Sequence, residues 1–106
     1  MQQFLCIHTF GPGMLNREQV QQFAQAVQQA EEVRGVHSYV NLTEGKAACI
    51  LEAESKGALK DFFQKNGMPV DSICPVEMEG DRTVMHDVAQ QAAQAAMGES
   101  MGRRQD

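Results

Sequence analysis

No basic cluster, no long apolar run, no paired-cysteine motif and no nucleotide-binding fingerprint occurs in these 106 residues. Each absence closes a class of function. The formal charge is −5, and the nine Lys and Arg are scattered apart from Arg103-Arg104. Nucleic-acid backbones and anionic membrane surfaces are gripped by clustered cations, so neither is an expected partner. No run approaches the roughly 20 apolar residues of a membrane-spanning helix. The start, Met1-Gln2-Gln3, lacks a basic region, and Phe4–Ile7 is too short for the apolar segment of a signal peptide. The expectation is a cytoplasmic protein. Cys6, Cys49 and Cys74 are odd in number, far apart and outside any C-x-x-C. They read as reduced thiols rather than a disulfide or zinc framework. The seven methionines follow no M-x-x-M pattern, which argues against a soft-metal site.

What is present is enough for one domain: 42% hydrophobic residues in a chain of this length support a single modest core. Residues 3–10 alternate and are β-prone, and Gly11-Pro12-Gly13 breaks them. Asn16 and Gln19 have the spacing of a helix capping box, and Val20, Phe23, Ala24, Val27 and Ala30 follow with helical period. Gly35 is placed to end that helix in a left-handed conformation. Residues 36–42 and 47–54 form a hairpin around Thr43-Glu44-Gly45-Lys46. Ser55 caps a second helix that carries Leu59, Phe62 and Phe63 and stops at Asn66-Gly67. Residues 72–78 form an edge strand, because Pro75 offers no amide donor.

The resulting order, β-α-β-β-α-β over residues 1–80, predicts an α+β ferredoxin-like sandwich with both helices on one sheet face, of the kind that forms dimeric α+β barrels. A further helix is expected over 81–97, capped by Asp81 and apolar at Val84, Val88, Ala92 and Ala95. It is either weakly docked or packed on a partner subunit. Residues 98–106 read as a disordered tail.

Side chains alternate across a strand, so parity assigns faces. Placing the more uniformly apolar sets beneath the helices leaves Cys6, His8, His37, Tyr39, Asn41 and Glu52 on the open face, with Phe4, Phe10 and Ile50. With a four-residue turn, Val40 pairs Cys49, Tyr39 faces Ile50 and His37 stands opposite Glu52. Such a pair holds its Cβ atoms about 5 Å apart. Two histidines and a carboxylate on one surface suit a divalent-metal site or an acid–base pair acting on a small ligand. They equally suit a polar patch in a subunit interface. A mixed apolar and polar face of this size is expected to be covered by a second copy of the chain.

Three stretches carry a resemblance: H-S-Y-V from His37, K-A-A-C-I-L-E-A-E-S from Lys46, and N-G-M-P-V-D-S-I-C-P-V from Asn66. Their order and spacing resemble a bacterial domain-of-unknown-function family of small dimeric ferredoxin-like proteins that includes a nickel-binding member. Cys49, Glu52, Ala53, Gly67, Pro69, Asp71 and Ile73 match its pattern, over about residues 3–78. The resemblance implies the fold and the dimer, and His8 matches a strand-one histidine of metal-binding members. Where such members carry two histidines four apart on the second helix, this chain has Phe62 and Asn66.

Three functions follow as expectations. The preferred one is a homodimeric binding protein that holds a small ligand or a divalent metal (nickel or zinc) on the open face through His8, His37 and Glu52, with Tyr39 and Asn41 lining the site. The second is an enzyme acting on a small organic molecule, with His37 as base oriented by Glu52. The third is an interaction module without ligand chemistry.

Overall fold

The computed structural model describes residues 1–82 and 84–88. The chain forms β1 (Gln2–Thr9), α1 (Arg17–Gln29), β2 (Val33–Asn41), β3 (Lys46–Ala53), α2 (Lys56–Lys65), β4 (Ser72–Pro75), β5 (Met78–Asp81) and β6 (Val84–Asp87). The first four strands to meet make one antiparallel-paired sheet in the order β2-β3-β1-β4, and β5 and β6 pair in a separate hairpin. The protein is α+β, with an arrangement compatible with the ferredoxin-like sandwich. β4 is an edge strand, as Pro75 requires.

The local signals act as read. The Asn16 side chain accepts from the Gln19 amide at 2.8 Å, while the Gln19 side chain accepts from the Asn16 amide at 2.9 Å. Ser55 Oγ accepts from the Ala58 amide at the start of α2, and Gly67 takes a left-handed φ of 69° just past its end. The core lies between one sheet face and α2: Phe4, Cys6, Leu51, Ala53 and Ile73 pack with Leu59, Phe62 and Phe63.

Four expectations are corrected. Helix α1 ends at Gln29, capped by Ala30, and Gly35 lies inside β2 without a left-handed backbone. A Cβ there would come within 3.3 Å of Val27 Cγ1, so glycine serves close helix–sheet approach instead. The β2–β3 register differs by two residues: Val40 pairs Ala47, and His37 pairs Ile50 rather than Glu52. The turn is the cause. Its four residues are 42–45, Asn41 Oδ1 accepts from the Glu44 amide, and Gly45 takes φ 70°. A bulge between Gly35 and His37 then carries Arg34 opposite Glu52.

The third correction concerns β1. Phe4, Cys6 and His8 face the helices, while Leu5, Ile7 and Thr9 share the open face with Ala48 and Ile50. Both sets are apolar enough to fill a core, but only the first meets the rings of α2. The fourth concerns residues 84–87, expected to be helical. They form β6, with Arg82 at φ 63° in the turn and Val88 N donating to Glu77 O beyond the ladder. Here Val84 and Met85 meet a β partner close in sequence, which outweighs a helical pattern built mainly on alanines. The rest of that proposed helix, and the expected tail, lie outside the described residues.

Candidate functional site

The residues expected to form one site occupy two sides of the sheet. His8 is wholly buried on the helix side. Its Nδ1 lies 2.7 Å from Pro69 O. A carbonyl only accepts, so Nδ1 carries the proton and Nε2 presents a bare lone pair. Nε2 is buried and has no hydrogen-bond partner. The ring meets Phe63 edge-on at 4.9 Å. Burial is the main influence on its basicity and lowers it below the ordinary histidine range, against the opposing pull of Pro69 O and Asp71.

His37, Tyr39 and Glu52 remain on the open face, apart from His8. Glu52 is committed elsewhere: Arg34 Nε donates to its Oε1 at 2.7 Å, and the guanidinium completes an ion pair with the same oxygen. His37 therefore lacks the carboxylate expected to orient it. Its ring stacks on Tyr39 instead, at 6.3 Å between centroids and 21° between planes. Asn41, expected to line a ligand site, caps the β2–β3 turn. Cys6, expected on the open face, is in the core, and its thiol is pushed up to about 12 by burial first and then by Cys49 and Cys74. Burial likewise raises the Cys49 thiol.

Sequence reasoning missed a cleft on the helix side. Helix α1 has no buried residue. It stands over the sheet on a contact between the Phe23 and Phe10 rings, 5.9 Å between centroids, and on Val27 against Gly35. Beneath it is a cavity of about 760 Å³ whose walls include Val20, Val27, Val40, Cys49 and Leu51, with His8 and Phe63 also lining it. The signal available in sequence was slight: α1 offers Val20, Phe23 and Val27 but otherwise only alanines to cover a sheet.

Among the described residues no three His, Cys, Asp or Glu side chains converge as metal ligands. The three histidines stand on three surfaces: His8 beneath the helices, His37 on the open face, and His86 on the β5–β6 hairpin. Protonated thiols are poor ligands, since the thiolate is the binding form. The donor set among the described residues of one copy does not fit a nickel centre. No helix among the described residues is long and apolar enough to cross a membrane.

Comparison with known proteins agrees with this fold. The family model described as nickel responsive protein SCO4226-like matches residues 4–76. The crystal structure of SCO4226 from Streptomyces coelicolor A3(2) superimposes with a TM-score of 0.64 at 22% identity, covering 74% of this chain and 99% of that one. No curated protein matches.

Proposed function

Since the chain belongs to the nickel responsive SCO4226-like family, we propose that it is a small binding protein that works as a homodimer through its helix-free sheet face. The observation that supports this reading is the character of that face. Leu5, Ile7, Ala48 and Ile50 form an apolar strip between β1 and β3, flanked by the stacked His37 and Tyr39 rings. Leu5 is 38% and Tyr39 69% exposed in the single chain.

Charge favours a second copy over another partner. Two chains of −5 repel in general, but the middle of this face carries only the paired Arg34 and Glu52 among the described residues, with Lys46 at its turn end. Copies meet there without opposing unpaired charge, and apolar area is removed from water at about 25 cal/mol per Å². His37 and Tyr39 then line the space between copies, where a small ligand is held.

Nickel response is what the family description carries. The donors of one copy do not supply such a centre, so the reading is of a ligand-binding dimer rather than a metal carrier. Multi-angle light scattering on the full chain tests the dimer. The expected mass is twice 11.7 kDa, falling to one chain in Ile50→Asp; a wild-type monomer at every concentration would contradict the reading.

A further inference from the structure

The cleft beneath α1 lies mainly on the opposite side of the sheet from the proposed dimer face, meets that face only at β2 through Arg34 and His37, and has a chemistry of its own. Its volume, about 760 Å³, falls in the roughly 300–1,000 Å³ range of small-molecule sites. Its walls are the apolar side of α1 and the inner side of β2 and β3. These surfaces are left partly bare: Val36 and Val40 on β2 are 38% and 40% exposed. A packed core does not ordinarily leave an amphipathic helix standing off its sheet, because close packing is where burial is most favourable.

The lining is mainly apolar, with Gln28, Glu31, Arg34, His37 and Ser38 as its polar members besides His8, and one buried polar atom in it lacks a partner. His8 is wholly buried, its Nδ1–H is held by Pro69 O, and its Nε2 has no partner. A buried acceptor without a donor costs about 1–3 kcal/mol, and most buried polar groups in folded proteins avoid it. Such an exception calls for a donor from elsewhere.

We infer that this cleft binds a small, neutral, largely apolar molecule, aromatic or aliphatic, that donates one hydrogen bond to His8 Nε2. The donor requirement follows from the tautomer: with Nδ1–H committed, Nε2 only accepts. Neutrality follows from the walls. Arg34, the single Lys or Arg side chain among the lining residues, is held by Glu52, and the Met1 amino terminus and Glu31 stand there with opposite signs, so neither sign of charge dominates the walls. A cation would leave its water for a lining dominated by Val, Ala and Phe. Phenols and alcohols of one or two rings fit these terms.

The probe is 2-naphthol, a neutral phenol at pH 7.5, compared with 2-methoxynaphthalene, which has nearly the same shape and no donor. Equilibrium fluorescence titration of the full chain should give one 2-naphthol site and about tenfold weaker binding of the methoxy compound, the effect of one hydrogen bond. In His8→Phe the two should bind alike. Val40→Trp, which fills the cleft, should weaken both at least about tenfold. Should His8→Phe not fold, the ¹⁵N resonance of His8 Nε2 in the wild type gives the same answer by shifting with 2-naphthol and not with its ether. Equal affinity for the two compounds, absence of binding, or an affinity that weakens as protein concentration rises (the cleft being taken by a second copy) would each overturn the inference.

Discussion

At the scale of single residues, His8 decides most. Its folded-state basicity is lowered by burial. Unfolded, it titrates near 6.5. The unfolded chain therefore binds the extra proton first, and folding is favoured above that pH and loses stability as pH falls through and below it. Thermal unfolding at pH 7.5 and 5.5 should show a drop in Tm that is smaller in His8→Phe. Pro69 O and Asp71 are the polar groups that act on this ring, with Phe63 against it. A drop of equal size in both proteins would show that His8 is not held neutral. The placement of this residue was the part least legible in the sequence. Leu5 and Ile7 read as better core residues than Cys6 and His8, and parity alone cannot choose between two apolar sets. The choice is made by Phe62 and Phe63, more than fifty positions away, which meet one side of β1 only.

At the scale of elements, the ends of helices were legible because caps are local chemistry. Asn16 with Gln19, Ser55, and Gly67 each satisfy or permit backbone geometry within a few positions. Asn16→Ala should cost about 1 kcal/mol in denaturant unfolding, and no change would mean that the capping box contributes nothing in the folded chain. The β2–β3 turn was read one residue late, although its determinants, Asn41 and Gly45, are both visible. That single step moved the partner of His37 from Ile50 to Glu52. Gly45 also packs where no side chain fits: a Cβ there would collide with the Gly11 carbonyl. Its amide donates to Asn41 O, and its own carbonyl accepts from the Phe10 amide at 2.7 Å. Gly45→Ala should destabilise by at least about 1–3 kcal/mol, the usual cost of a left-handed non-glycine residue, before the clash is added. An unchanged denaturation midpoint would mean that the turn adopts another form. The stand-off of α1 was barely legible, because the distance between a helix and a sheet is set by side chains from several elements together.

At the scale of the whole molecule, the sheet has two unlike faces. The helix-free face is a neutral apolar strip suited to a second copy, and the helix side holds a cleft with one bare imidazole nitrogen. The single site expected across His8, His37 and Glu52 thus becomes two separate features, with Glu52 bound to Arg34 on the open face. The β5–β6 hairpin lies beyond the region shared with the family model, which ends at residue 76. It adds a contact between His86 Nε2 and Glu79 Oε2 at 3.7 Å to that extension. Separate faces mean separable behaviour. The direct measurement is to record, on one preparation of Ile50→Asp, both the mass by light scattering and the affinity for 2-naphthol. The mass should halve while the affinity stays within about twofold of wild type; a loss of both together would show that the cleft and the dimer face are not independent.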